Sequence, residues 1–301
     1  MASRPSGCPI ERLLIPHPSR RVLIGGLLAA GLAGCTGSAP PPDPALWRAR
    51  RGEARLWLFG TIHALPRGTA WQTPALAHAV ADSRALVLEV PEDEDAATLF
   101  AERAPAAGLP PVAERLPSTL RPGLERAAAV AAVPMATLDG LSSWGAALAL
   151  GGAAAGAAGA RRDLGCEAVL AARFRASGKP VLALEHVASQ LDTFAALPER
   201  EQRLLLARTV ADAQAPDAYE QLVAAWRQGD LATLDRRLGS AALGMPALAE
   251  TLVVARSRRF ANRVTRLAGP ALVAVGAGHM VGRAGLPTLL AEHGWRVARV
   301  A

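Results

Sequence analysis

Short apolar runs alternate with helical patterns near both ends of the chain, around a long helical middle. Residues 46–50 and 55–59 flank Arg51-Gly52-Glu53, which predicts a β-hairpin whose second strand ends at Gly60. Residues 85–90 form an apolar run closed by Pro91, read as a buried strand. Residues 92–130 are acidic and then rich in Ala and Pro, a pattern of helices joined at proline turns. Residues 144–160 are Gly/Ala-rich and uncharged, which predicts a closely packed helix; Ala and Gly supply too little transfer energy for a membrane span. A helix over 167–176 stops at Gly178-Lys179-Pro180 and leads to a strand at 181–184. Residues 198–268 are helical, with breaks at Pro216, Gly229 and Pro246. The strand 271–275 runs into Gly276, the helix 286–293 is capped by Gly294, and 295–300 is a final strand. This order predicts an α/β fold: a central mixed β-sheet flanked by helices, with a helical insertion between N- and C-terminal strand blocks.

The first 34 residues read as a targeting segment rather than as fold. Arg4, Arg12, Arg20 and Arg21 form a basic start, and an apolar run from Val22 to Gly34 follows. It is shorter than the roughly 20 residues a spanning helix needs. Leu32-Ala33-Gly34-Cys35 resembles a bacterial lipobox, which makes Cys35 the expected lipidation site and the membrane an expected partner. Residues 35–45, rich in proline, read as a flexible tether, leaving 46–301 as the folded domain. The expected location is the bacterial cell envelope, facing the periplasm. Ser19-Arg20-Arg21-Val22-Leu23-Ile24 also partly resembles a twin-arginine export signal.

Charge adds little. The net charge is +7, but Arg, Ala, Gly and Pro are all plentiful, as a genome-wide bias would make them. Aromatic residues are only 4% of the chain, so base-stacking platforms are scarce and no nucleic-acid partner is expected. Three cysteines exclude a disulfide scaffold. Cys166 reads as a buried small hydrophobe, and the arginines at 256, 258, 259, 263 and 266 as a solvated helix face. His78 and His293 read as surface or cap residues.

Four strand ends carry the candidate chemistry. Leu56-Trp57-Leu58-Phe59 leads into Gly60-Thr61-Ile62-His63, and Leu272-Val273-Ala274-Val275 into Gly276-Ala277-Gly278-His279. In each, Gly is expected to let the backbone turn, and His to project from the carboxyl edge of the sheet, where open α/β folds place ligands. Glu89 and Glu185 close the strands at 86–88 and 181–184 in the same way. A carboxylate at a buried strand tip needs a partner or a metal to offset its desolvation. Two His with one or two carboxylates suit a divalent metal carrying an activated water, with the remaining Glu as general base.

At these residues the chain resembles the TraB/GumN/Tiki family. The resemblance rests on Leu58 to His63, on Leu88-Glu89-Val90, on Asp163 to Glu167 with Gly178 to Glu185 and Gln190, and on Val275 to Gly282 with Gly285-Leu286. It covers residues 46–301. It implies an α/β fold in which the two Gly-x-x-His motifs and the acidic residues share one cleft. For the animal branch it implies a membrane-tethered peptidase using manganese or cobalt; zinc would also suit these donors. On that basis His63, His279 and Glu89 are the expected metal ligands, Glu89 and Glu185 the catalytic acids, and Gly60, Gly276 and Arg256 supporting residues. The substrate is an unspecified peptide or small molecule. Two positions depart from the family pattern: Ser257 stands after Arg256 where Asn is usual, and His186 follows Glu185 where a small hydroxyl residue is usual. The competing readings are a protein that binds a metal, haem or small ligand without turnover, and a non-catalytic scaffold of the envelope.

Overall fold

The structure is a computed structural model that describes residues 41–91, 94–215, 217–239, 244–267 and 269–301. The targeting segment, Cys35, most of the tether and the Pro216 break lie outside the described residues. Among the described residues no helix is long and apolar enough to cross a membrane.

The chain opens with β1 (Leu46–Arg51), β2 (Ala54–Thr61) and a short β3 (Leu65–Pro66), then α1 (Pro74–Asp82) and β4 (Ala85–Leu88). A helical stretch follows: α2 (Ala96–Arg103), α3 (Arg121–Ala131), α4 (Met135–Asp139), α5 (Ser143–Gly151) and α6 (Ala153–Ala157). Next come β5 (Ala160–Arg161), α7 (Cys166–Ala176) and β6 (Val181–Ala183). A second helical stretch holds α8 (Val187–Ala195), α9 (Glu199–Asp212), α10 (Ala218–Arg227), α11 (Leu231–Leu238), α12 (Pro246–Ala249) and α13 (Ala255–Val264). The chain ends with β7 (Ala271–Gly276), α14 (Leu286–Glu292) and β8 (Arg296–Arg299).

Six strands form one mixed sheet in the order β6-β4-β7-β2-β1-β8. β6, β4, β7 and β2 are parallel, while β1 is antiparallel to both β2 and β8. Gly52, at φ +57°, makes the tight β1–β2 turn. The central strands are buried on both faces, which is why they read as continuous apolar runs. Phe59, Leu86 and Leu272 point to one face with Phe174 and Trp226. Leu58, Val87 and Val273 point to the other with Phe260 and Leu290. The helical insertion has its own core, in which Leu124, Leu150 and Leu206 meet.

The expected mixed sheet and helical insertion are present, with local differences. The run 144–160 is not one helix: it breaks at Gly151-Gly152, where two glycines remove helix propensity. The strand at 181–184 is buried only at its end, at Leu184. β6 is an edge strand that ends at Ala183, and Leu182 is 47% exposed. A four-residue apolar run does not reveal whether a second neighbour covers it.

Candidate active site

The register of the parallel strands sets the site. Thr61 of β2 lies level with Gly276 of β7, and Leu88 of β4 with Ala274 of β7 and Ala183 of β6. The residues that follow these strands therefore emerge along one edge of the sheet. The backbone N–H of Glu185 donates to the carbonyl of Glu89 at 2.9 Å, extending that alignment past the strand ends.

The two Gly-x-x-His turns pack against each other. A Cβ on Gly60 would lie 3.2 Å from the Cα of Ala277. Gly276 has φ −46° and ψ 136°, a conformation open to any residue. Its glycine is explained by space rather than by a sharp turn. A Cβ there would stand 3.3 Å from Glu89 Oε2 and 3.6 Å from His63 Nε2. Those two atoms thus face one open spot above Gly276. The first turn is fixed by Trp226 Nε1, which donates to the Gly60 carbonyl at 2.8 Å, and by Tyr219, whose hydroxyl donates to the Ala64 carbonyl. Gly165 packs directly on the His63 carbonyl, where a Cβ would overlap it at 2.1 Å.

His63 is oriented by Glu167, at the start of α7. Its Nδ1 lies 2.7 Å from Glu167 Oε1, and the Thr61 hydroxyl donates to the same oxygen. Attraction to the Glu167 carboxylate outweighs the desolvation of the ring and raises the His63 pKa to about 9. Burial pushes the Glu167 pKa up, but the His63 charge and hydrogen bond outweigh it and hold the carboxyl below its usual range. Glu167 Oε2 is buried without a hydrogen-bond partner among the described residues. Glu167 and His63 both line a pocket of about 570 Å³, together with Glu89, Arg162 and Gln190.

Glu89 and Glu185 meet at Arg256. Arg256 is 6% exposed; its Nη2 donates to Oε1 of both carboxylates, and its Nε donates to Glu185 Oε1 at 3.1 Å. Glu89 also accepts from Gln190 Nε2 at 3.0 Å and from the Gly276 backbone N–H at 3.1 Å. Burial favours protonated Glu89, but His279, Arg256 and His63 together outweigh it and hold the pKa near about 2. The two glutamates in turn raise the Arg256 pKa against the burial that lowers it. Arg256 therefore leaves the basic face on which the sequence placed it: helical periodicity turns this one arginine inward while Arg258, Arg259 and Arg263 stay exposed.

His279 is buried between Arg256 and Ser257. The Ser257 hydroxyl lies 2.8 Å from Nδ1, and Arg256 Nη1 lies 3.3 Å from Nε2. Since guanidinium can only donate, Nε2 accepts, and Nδ1 carries the proton and donates to Ser257. Burial, with Glu89 opposing and Arg256 adding to it, lowers the His279 pKa to about 4, so the ring is neutral. Ser257 thus supplies the hydroxyl acceptor for that proton.

This arrangement does not fit a divalent ion held by His63, His279 and Glu89. The lone pair of His279 Nε2 is directed at Arg256, whose single positive charge is shared between Glu89 and Glu185 and occupies the space between them. Among the described residues no three His, Cys, Asp or Glu side chains converge as a metal site would require. The other sequence candidates lie elsewhere. His186 is exposed and bonds Glu94 at 2.6 Å, His293 bonds the Leu289 carbonyl at 2.7 Å, and His78 meets Trp57 edge-on at 5.7 Å. Cys166 is buried, and burial with the Glu167 charge pushes its thiol pKa well up. The sequence reading singled out neither Glu167 nor Gln190 as a site residue. Glu167 ends the segment Asp163 to Glu167 of the family resemblance, and that was the signal available.

No curated protein matches this chain, and no solved structure matches it. The model of the TraB/PrgY/gumN family matches residues 45–299. The two Gly-x-x-His turns, their acidic partners and the sheet that aligns them all fall inside that match, and the chain belongs to the TraB/PrgY/gumN family.

Proposed function

We propose that the protein is a hydrolase of the bacterial cell envelope that cleaves an amide or ester bond at the His63 end of the pocket. The observation that carries this reading is the His63–Glu167 pair: Nδ1 is held at 2.7 Å, and Nε2 faces the open spot beside Glu89. An imidazole fixed through one nitrogen by a carboxylate is arranged to move protons through the other. In its neutral form, which becomes populated as pH rises toward about 9, His63 takes a proton from water as the water oxygen bonds to the carbonyl carbon. It returns that proton to the leaving nitrogen or oxygen as the bond breaks. Glu89, whose carboxyl is held well below its usual range by His279, Arg256 and His63, is the weaker base of the two. Its role here is to hold position and charge, tied to Arg256, Gln190 and the Gly276 backbone. Glu185 braces Arg256.

The same proposal places the protein on the membrane through a lipid on Cys35, facing the periplasm, on the strength of the pattern at residues 22–35. The mass of the purified mature protein tests this part: a chain starting at Cys35 and carrying acyl groups supports it, and an unmodified Cys35 overturns it.

The activity is tested with the full chain on a panel of fluorogenic esters and peptide amides. Wild type is expected to hydrolyse members of the panel, and His63→Ala to lose on the order of 100-fold or more with its circular dichroism unchanged. No hydrolysis by wild type, or equal rates in His63→Ala, would overturn the reading.

A further inference from the structure

Beside the polar residues His63, Glu89, Arg162, Glu167 and Gln190, the pocket is lined by apolar side chains. Val90 follows Glu89 directly, and beyond it stand Phe100 of α2, Leu148 of α5, and Leu191 and Phe194 of α8. These side chains belong to a hydrophobic cluster separate from both faces of the sheet, centred on the buried Trp144. Phe100 meets Trp144 edge-on at 5.8 Å, and Phe194 stacks on it at 6.2 Å. Two rings that line the pocket are thus held from behind by a third. The wall is therefore built in advance of any ligand, and rings so braced do not readily collapse into the space. Ala97 and Ala149 also line the pocket, where larger side chains would narrow it.

None of the proton chemistry requires such a wall. Apolar carbon left facing an open pocket gains free energy only when another apolar group covers it. We infer that the pocket binds the apolar group attached to the carbonyl that His63 acts on. The substrate class is then a carbonyl compound bearing an aliphatic or aromatic group, supplied either as a fatty acyl chain or as the side chain of a peptide. The position of the scissile bond rests on the hydrolase reading; the apolar preference does not.

Binding without turnover separates the two. The full chain is titrated by calorimetry with butyrate and decanoate, and in a second arm with N-acetylalaninamide and N-acetylphenylalaninamide. At least about tenfold tighter binding of the larger member is expected in one arm, and that arm identifies the source as acyl or peptidyl. Ala97→Phe and Ala149→Phe are expected to remove that preference with circular dichroism unchanged; Ala97 is exposed, so its variant stays informative if Ala149→Phe fails to fold. His63→Ala is expected to keep the preference, so a failed hydrolysis assay leaves this inference standing. No size preference in either arm, or a preference that persists in the folded Phe variants, would overturn it.

Discussion

Glu167 Oε1 lies 2.7 Å from His63 Nδ1, yet the two side chains differ sharply in exposure, 8% for the glutamate against 61% for the histidine. The anion is anchored in the fold, and the imidazole it holds reaches into the pocket. A buried carboxylate beside a half-wet ring gives the ring a fixed direction and a reason to stay charged.

That pairing has a pH signature in stability. The folded pKa of His63 is raised, so its contribution is full below the unfolded value of 6.5 and is lost as pH rises through about 9. The Glu89 pKa is lowered, so its contribution is present above 4.5 and is lost as pH falls through about 2. The Tm of wild type minus that of His63→Ala is therefore expected to shrink between about pH 6 and about pH 10. A difference that stays constant or grows would contradict the pairing.

Arg256 is the cation on which two buried carboxylates depend. Arg256→Met leaves Glu89 and Glu185 without it, and a loss of about 3–5 kcal/mol in urea unfolding is expected. Arg256→Lys keeps the charge but not the fork that reaches both glutamates, so an intermediate loss is expected. A Met variant as stable as wild type would show that the cluster contributes little.

Gly276→Ala separates the site from the fold. The backbone there suits alanine, but the new methyl would sit 3.3 Å from Glu89 Oε2 and 3.6 Å from His63 Nε2. Hydrolysis is expected to fall by about tenfold to 100-fold with Tm little changed. Unchanged turnover would mean that the spot above Gly276 is not where the reaction occurs.

The place of Arg256 also bears on metals. A ligand that binds only the folded state raises its stability, so Tm reports binding. Manganese, cobalt or zinc is expected to leave the wild-type Tm unchanged. In Arg256→Ala, which frees His279 Nε2 and both glutamates, the same ions are expected to raise it. A metal-dependent rise in wild type that disappears in both His63→Ala and His279→Ala would instead establish the three-residue metal centre.

The sheet was legible because its strands carry their own signals. Val87 and Val273 sit in unbroken apolar runs, and Gly52 marks the hairpin. His63, Glu89, Glu185 and His279 were legible as strand-end residues, and the register places all four along one edge. What joins them was not legible. Arg256 lies 71 residues from Glu185 and 167 from Glu89, and one inward arginine among several on a helix looks like its exposed neighbours. Glu167 was hidden for a related reason: it starts a helix, where an acidic residue is ordinary. The edge position of β6 depends on which strand ends the sheet, which no local pattern carries. The apolar pocket wall is assembled from three helices whose packing the sequence order alone does not determine.

The titration of His63 tests the account most directly. Its ring resonances are followed by NMR from about pH 5 to about pH 10 in wild type and in Glu167→Gln. The account predicts a pKa near about 9 in wild type and a fall toward 6.5 once the carboxylate is removed. A wild-type His63 that titrates near 6.5, unchanged in Glu167→Gln, would contradict the pairing and with it the proposed proton carrier.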